Sequence, residues 1–430
     1  MRLLYGMGLT LLLAPQVNGQ ALAERVRQAP SGEVRMQVDS RAGVCGDGRD
    51  VVGYRSAIFA SNFQSMGGRW REDRCVPGPL RIALAVDEGE VLRVRTMVGG
   101  SGASTAQRVT DLGAVPAAEA SAYFFSLLPK LDRGDRDRTI IPAVLADAPP
   151  PIQPLLALAR NTDRTMDMRR SAVHWLGLLG DASVIPALVT FARDDVDDDG
   201  SDKAGKKSLG GSAVSALSML DGDIGVPALM DLARTGSVGT RRNAVFWLGQ
   251  NGDPRARRML HTVIEDANES TRVRSHAIFS LAHGREVPES ELAWLRGVYS
   301  RLQGEELKKA VLHGMVKDEE PVAGRWLIER VFDSSESREL RRTALFWAGQ
   351  RGATPTADLV RAYQGLTDAN LREHAIFVLS QRRDDAASDA LMRIAREDRD
   401  TRMRSKALFW LAQNDDPRAR KLIADLVLEP

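Results

Sequence analysis

The feature that most constrains this chain is a motif repeated eight times at nearly constant spacing. A small anchor residue recurs at Ala172, Ala213, Ala244, Ala277, Val311, Ala344, Ala375 and Ala407, in steps of 41, 31, 33, 34, 33, 31 and 32 residues. RRNAVFWLGQNGD (241–253), RRTALFWAGQRGA (341–353) and RSKALFWLAQNDD (404–416) show the motif most clearly. After each copy comes a second apolar segment with helical spacing, such as IPALVTFAR (185–193) or SDALMRIAR (388–396). Each unit is therefore two helices joined by a turn carrying Gly, Asp or Pro. Such a unit cannot bury its apolar face alone, so the copies must stack into an α-solenoid.

The columns of the repeat have physical roles. The anchor is small because helices cross closely there. Beside it stands Val, Ile or Leu, and four residues on stand Leu176, Leu217, Leu248, Leu281, Met315, Ala348, Leu379 and Leu411. Five of the 11 Phe and four of the seven Trp fall two and three residues after the anchor. A helix apolar on most of its circumference is expected to be wedged between neighbours on several sides, with these rings as packing between repeats. Three residues before the anchor stand Arg169, Arg241, Arg274, Lys308, Arg341, Arg372 and Arg404, with Gly210 as the exception. Nine residues after it stand Asp181, Asp253, Glu286, Glu320, Asp384 and Asp416. A base opening one helix and an acid at the following turn suggest ladders of ion pairs and turn hydrogen bonds between stacked units. A basic groove for nucleic acid is the sharper reading of the same column. It is set aside because the acids recur at the same period, and 59 basic against 57 acidic residues leave a formal charge of only +2.

The run Met168-Arg169-Arg170-Ser171-Ala172-Val173-His174-Trp175-Leu176-Gly177 resembles the HEAT repeat in its short bacterial form, and the likeness covers about residues 165–430. It implies a mainly α protein, an array of about eight HEAT-like helix pairs that presents a surface to other proteins. A few related arrays are enzymes, one of which uses iron held by His-Glu dipeptides. This chain has no His-Glu dipeptide, so that role does not carry over.

The N-terminal part reads differently. Met1 to Ala23 holds a single charge, Arg2, then an apolar stretch through Ala14 and small residues at Gly19 and Ala23. That is the form of a secretory signal peptide (1–23), cleaved after Gly19 or Ala23, and it predicts a secreted or periplasmic protein with no membrane span once the leader is lost. Residues 24–115 read as a small β-rich domain, because Val34, Met36 and Val38 alternate with polar neighbours, as do Ile82, Leu84 and Val86. Asp87-Glu88-Gly89-Glu90 then turns the chain into a further alternation over Leu92, Val94, Thr96 and Val98, and the tract Gly99–Ala106 is expected to end the domain in a loop. The chain has two cysteines, Cys45 and Cys75, and in an exported protein they are expected to form a disulfide. Residues 116–164 are expected to form an atypical helical unit capping the array of 165–430.

Chemistry-bearing clusters are few. The longest step between anchors holds an acidic insertion in which Asp195, Asp197, Asp199 and Gly200 match the first half of a calcium loop. Lys206 stands where the bidentate Glu should be, so the segment reads as a solvated loop, with a calcium-dependent envelope or adhesion module as the alternative. Six histidines are scattered along the repeats and read as neutral packed or surface residues. Gln250, Gln350, Gln381 and Gln413 recur six residues after the anchor and are expected to bond near helix ends, with a ligand-facing ridge as the alternative. No nucleophile elbow, zinc motif or dinucleotide loop is present. The expected function is an exported, non-enzymatic surface for a protein partner, with no catalytic residues and no cofactor beyond the calcium alternative. An enzyme would have to draw on Asp47, Arg49, Asp50 and Arg71 near the cysteines.

Overall fold

The computed structural model describes residues 20–54, 57–58, 75–99, 108–129, 133–194, 208–284, 287–317, 321–352, 354–413 and 416–428. The chain forms two compact units, Met1–Val184 and Ile185–Pro430. The leader residues 1–19, the acidic insertion with Asp195, Asp197 and Asp199, most of the Gly99–Ala106 tract, and Arg71 lie outside the described residues.

The first unit opens with helix α1 (Gln20–Arg27), which buries Leu22 and Val26. Eight strands follow among the described residues: β1 (Gly32–Val38), β2 (Val44–Gly46), β3 (Val51–Tyr54), β4 (Ala57–Ile58), β5 (Val76–Pro77), β6 (Leu80–Asp87), β7 (Glu90–Val98) and β8 (Val109–Ala114). They form two four-stranded sheets, ordered β7-β6-β1-β8 and β4-β3-β2-β5. The alternations at Val34, Met36, Val38 and at Ile82, Leu84, Val86 all point into the core. Glu88 and Gly89 both have positive φ in the β6–β7 turn, the backbone that suits the twist of a two-residue hairpin.

Two expectations need correction here. Leu92 is 57% exposed, because strand partners jump from Arg93–Ala85 to Val91–Val86. Leu92 is thus the extra residue of a β-bulge, which throws it off the inward face. Nor does the glycine tract end the sheet, since β8 follows it and pairs in parallel with β1. In the second sheet Cys45 on β2 is disulfide-bonded to Cys75, just before β5. The unit continues through α2 (Ala117–Leu127), α3 (Arg133–Leu145), α4 (Ile152–Arg160) and α5 (Met166–Leu179).

The second unit starts with α6 (Ile185–Arg193) and goes on in helix pairs. These are α7 (Gly210–Met219) with α8 (Val226–Thr235), α9 (Val238–Gln250) with α10 (Pro254–Glu265), and α11 (Thr271–Ala282) with α12 (Glu289–Val298). Then come α13 (Glu305–Gly314) with α14 (Pro321–Phe332), α15 (Arg338–Gln350) with α16 (Thr356–Gly365), α17 (Ala369–Ser380) with α18 (Asp385–Glu397), and α19 (Thr401–Leu411) with α20 (Pro417–Leu428). First helices pack on first helices from α7 to α19, and second helices line up beside them, giving a two-layered solenoid. First helices start at side-chain caps: Ser237, Ser270, Ser337, Asp368 and Asp400 each accept a hydrogen bond from a backbone N–H of the first turn.

The interior consists of the anchor, the residue after it and the residue four after it; Ala244, Val245 and Leu248 are all 0% exposed. The glycine that closes the Leu-Gly of the motif marks a tight crossing. A Cβ added to Gly249 on α9 would lie 2.5 Å from Ser280 Cβ and 2.6 Å from the Ser280 carbonyl oxygen on α11.

Candidate binding surface

The basic and acidic columns meet partners other than those their shared period suggests. Arg169, Arg274 and Arg341 each donate through Nε to a carbonyl ten residues back, Ala159 O at 2.8 Å, Ile264 O at 2.9 Å and Val331 O at 2.7 Å. Each of these carbonyls is next to last in the preceding helix, where unsatisfied oxygens and the negative end of the helix dipole favour a cation. Arg241 and Arg404 reach Gly236 O and Asp398 O in the same connection, at 2.8 and 2.7 Å. The carboxylates that pair with this column are Glu269 with Arg241, Glu336 with Lys308 and Asp398 with Arg372, at 3.0, 2.7 and 2.6 Å. They stand just before the next first helix. Three of the acids nine after the anchor serve turns instead: Asp253 and Asp384 cap α10 and α18, and Asp181 accepts from Ser183 N, while Glu286 and Glu320 lie outside the described residues.

In the second unit the aromatic columns are not wedged inside, although Trp175 in the first unit is buried. Positions two, three and six after the anchor share the outward face of the first helices, where Phe279 is 36% and Phe409 56% exposed. Phe346, Trp347, Phe377 and Trp410 are half-buried. The rings touch one another from helix to helix without a break from α11 to α19. Phe279 stacks on His283 at 4.5 Å between centroids, and His283 lies 4.9 Å from His313. His313 stacks on Trp347 at 4.4 Å, and Trp347 meets Phe346 edge-on at 4.9 Å. Phe346 lies 6.5 Å from His374, His374 5.5 Å from Phe377, and Phe377 5.3 Å from Trp410, which meets Phe409 at 5.1 Å. Offset and edge-on contacts at such distances are the favoured arrangements of aromatic pairs. The result is a ladder of nine rings on one face of five consecutive first helices.

Four imidazoles, His174, His276, His313 and His374, have their pKa values lowered. Burial, helped by the nearby charge of Arg342, holds His374 down to about 4. Arg342 Nε donates to His374 Nδ1 at 3.4 Å, while His374 Nε2 is buried with no hydrogen-bond partner among the described residues. Burial first and Arg242 second lower His276, and burial lowers His313. His174, lowered by burial, meets Trp175 edge-on in the first unit. His261 stacks on Trp294 at 3.8 Å and lies 2.5 Å from Glu291, in the row of second helices. Among the described residues no three His, Cys, Asp or Glu side chains gather as a metal site. Near the disulfide, the Asp47 carboxylate accepts from the backbone N–H of Arg49 and Asp50 at 2.9 and 3.0 Å. Those bonds lower its pKa and make it a turn-former.

The family model of HEAT repeats matches residues 324–412, and that of the PBS lyase HEAT-like repeat matches residues 240–266. The chain thus carries HEAT-like repeats over these residues. No curated protein matches this chain. Among solved structures it is similar to the complex of CpcE and CpcF of phycocyanin lyase from Nostoc sp. PCC7120. The identity there is 17%, over 56% of this chain and 92% of that one, with a TM-score of 0.29. Human deoxyhypusine hydroxylase in complex with glycerol aligns at 16% identity over 61% of this chain and 94% of that one, with a TM-score of 0.26. Importin beta aligns at 10% identity over 72% of this chain and 49% of that one, with a TM-score of 0.30.

The sequence placed the rings of this HEAT array in columns but not on its surface. The pair the fold brings together, His283 and His313, stands six and two residues after successive anchors. The available signal was that positions two, three and six after the anchor form one helical face.

Proposed function

We propose that this protein is a non-enzymatic scaffold, exported from the cytoplasm, that docks a protein partner on the ring ladder of α11–α19. The ladder itself is the observation that carries this reading. Rings fixed by stacking lose little conformational entropy on binding, and aromatic side chains dominate the energetic centres of protein interfaces. The Asp47 carboxylate near the disulfide is occupied in a turn, which favours binding over chemistry in the first unit.

Replacing Trp347 and Trp410 together by alanine tests the surface. Partner captured from envelope extract by the full chain should be held at least about thirtyfold more weakly by the double variant, the equivalent of one lost hot spot of ~2 kcal/mol. Circular dichroism and thermal melting should show the helices intact. Unchanged capture by a folded double variant overturns the assignment.

Export is supported by the leader-like Met1–Ala23 and by the disulfide, which persists in oxidising compartments. Cleavage after Ala23 would remove the fully buried Leu22 from α1, whereas cleavage after Gly19 leaves that helix whole. The intact mass of the exported chain should therefore begin at Gln20. A cytoplasmic protein that retains Met1 contradicts the proposal.

A further inference from the structure

We propose that the outward face of β6 and β7 binds the surface of an anionic phospholipid bilayer. The inference is independent of the docking role of the ring ladder. Strand alternation sorts the residues of this sheet. Leu80, Ile82, Leu84 and Val86 of β6 and Val94 and Val98 of β7 are buried, so Arg81, Ala83 and Ala85 share the other face with Arg93, Arg95 and Met97. The register sets Arg93 opposite Ala85, Arg95 opposite Ala83 and Arg81 opposite Met97. Arg93 and Arg95 stand two positions apart on one strand, about 7 Å, and Arg81 is diagonal to Arg95 at about 7–8 Å. Three guanidinium groups thus share one small area, in which Arg93 and Arg95 are exposed and Arg81 partly so.

Charge and polarity both suit a lipid surface. No acid stands among these outward residues of β6 and β7, and Arg95 Nη2 meets a carbonyl, that of Arg49, at 3.4 Å. Neighbouring β1 adds Arg35 and Glu33, which pair at 2.6 Å and cancel. The acidic turn Asp87–Glu90 is tied to the segment after α1, where Glu88 N donates to Ser31 Oγ at 3.0 Å. Like charges set this close on a sheet repel one another until anions are brought to them. Planar guanidinium forks match the oxygens of phosphate. The β-bulge supplies an apolar part, since it takes Leu92 off the inward face and leaves it 57% exposed beside Arg93. A leucine among arginines fits the boundary of a bilayer, where the apolar group reaches the acyl chains and the cations stay with the headgroups. A soluble acidic polymer would use the arginines but not Leu92, which is why the bilayer is the favoured occupant.

The test is co-sedimentation of the full chain with vesicles of phosphatidylglycerol and phosphatidylcholine in about equal parts, and with phosphatidylcholine alone. The neutral vesicles measure whatever the apolar leader contributes, and the excess on the anionic ones reads the sheet. That excess should be large at low salt and fall as salt is raised. An arginine near an anionic surface contributes about fivefold to binding, so Arg93→Gln with Arg95→Gln should weaken the excess roughly 25-fold. Leu92→Ser should weaken it too, with its salt dependence unchanged. Arg234→Gln with Arg325→Gln removes the same charge from exposed positions of the second unit and should change nothing. Circular dichroism checks that each variant is folded. Equal retention on the two vesicles, a folded Arg93 and Arg95 variant that binds as before, or an equal loss in the Arg234 and Arg325 variant would each overturn the proposal. Retention abolished by soluble polyglutamate yet untouched by Leu92→Ser would mean a site for acidic polymers, and would overturn it as well.

Discussion

Protein carrying Cys45→Ser and Cys75→Ser should lose about 3–4 kcal/mol of stability in its first unit, the loop-closure entropy of a bridge across this separation. The bond spans 30 residues and ties β2 to the start of β5. These strands are three and two residues long, and their β3 and β4 neighbours are four and two. So short a sheet has little ladder and little apolar area to hold it once the cross-link is gone. Hydrogen exchange followed by mass spectrometry should show the amides of β2 and β3 losing protection. Equal protection in the bridged and serine proteins would mean that packing around Val44, Val51 and Tyr54 carries the sheet without the bond.

Gly249→Ala should cost the array about 3 kcal/mol, the upper end of what overpacking costs. The atoms an added methyl meets are largely backbone: the Ser280 carbonyl oxygen and carbon lie at 2.6 and 2.7 Å. No rotamer change relieves that clash, so α9 and α11 must separate. In a solenoid each repeat is stabilised by its neighbours, and a weakened junction lowers cooperativity along the array. Urea unfolding should therefore broaden or split into two transitions. A single transition of unchanged midpoint would show that the crossing adapts.

How much was legible follows from what each signal depends on. The helix pairs could be read because a 31–34 residue period is a property of the chain itself, repeated at all but one step. The disulfide followed from having two cysteines and an export-like leader. β1 and β6 followed from strict alternation. Leu92 was misplaced because a bulge adds a residue without altering composition. β8 was hidden because its strand is mostly exposed, with Val109 at 43%, and so lacks an apolar alternation. The ring columns were harder still. Apolar periodicity shows that two sides of a helix are oily, but not which of them meets another helix. His283 and His313 meet only through the offset at which α11 and α13 cross, and no single repeat encodes that offset.

The arginine contacts at Ala159, Ile264 and Val331 have a consequence for how such a protein changes length. Each spans the connection from one helix to the first helix that follows, with its two partners only ten positions apart. A duplication or deletion of one whole period carries these contacts along intact and orphans no carbonyl. The number of rungs on the exposed face can therefore grow or shrink by recombination between copies, each new junction being a replica of one already satisfied.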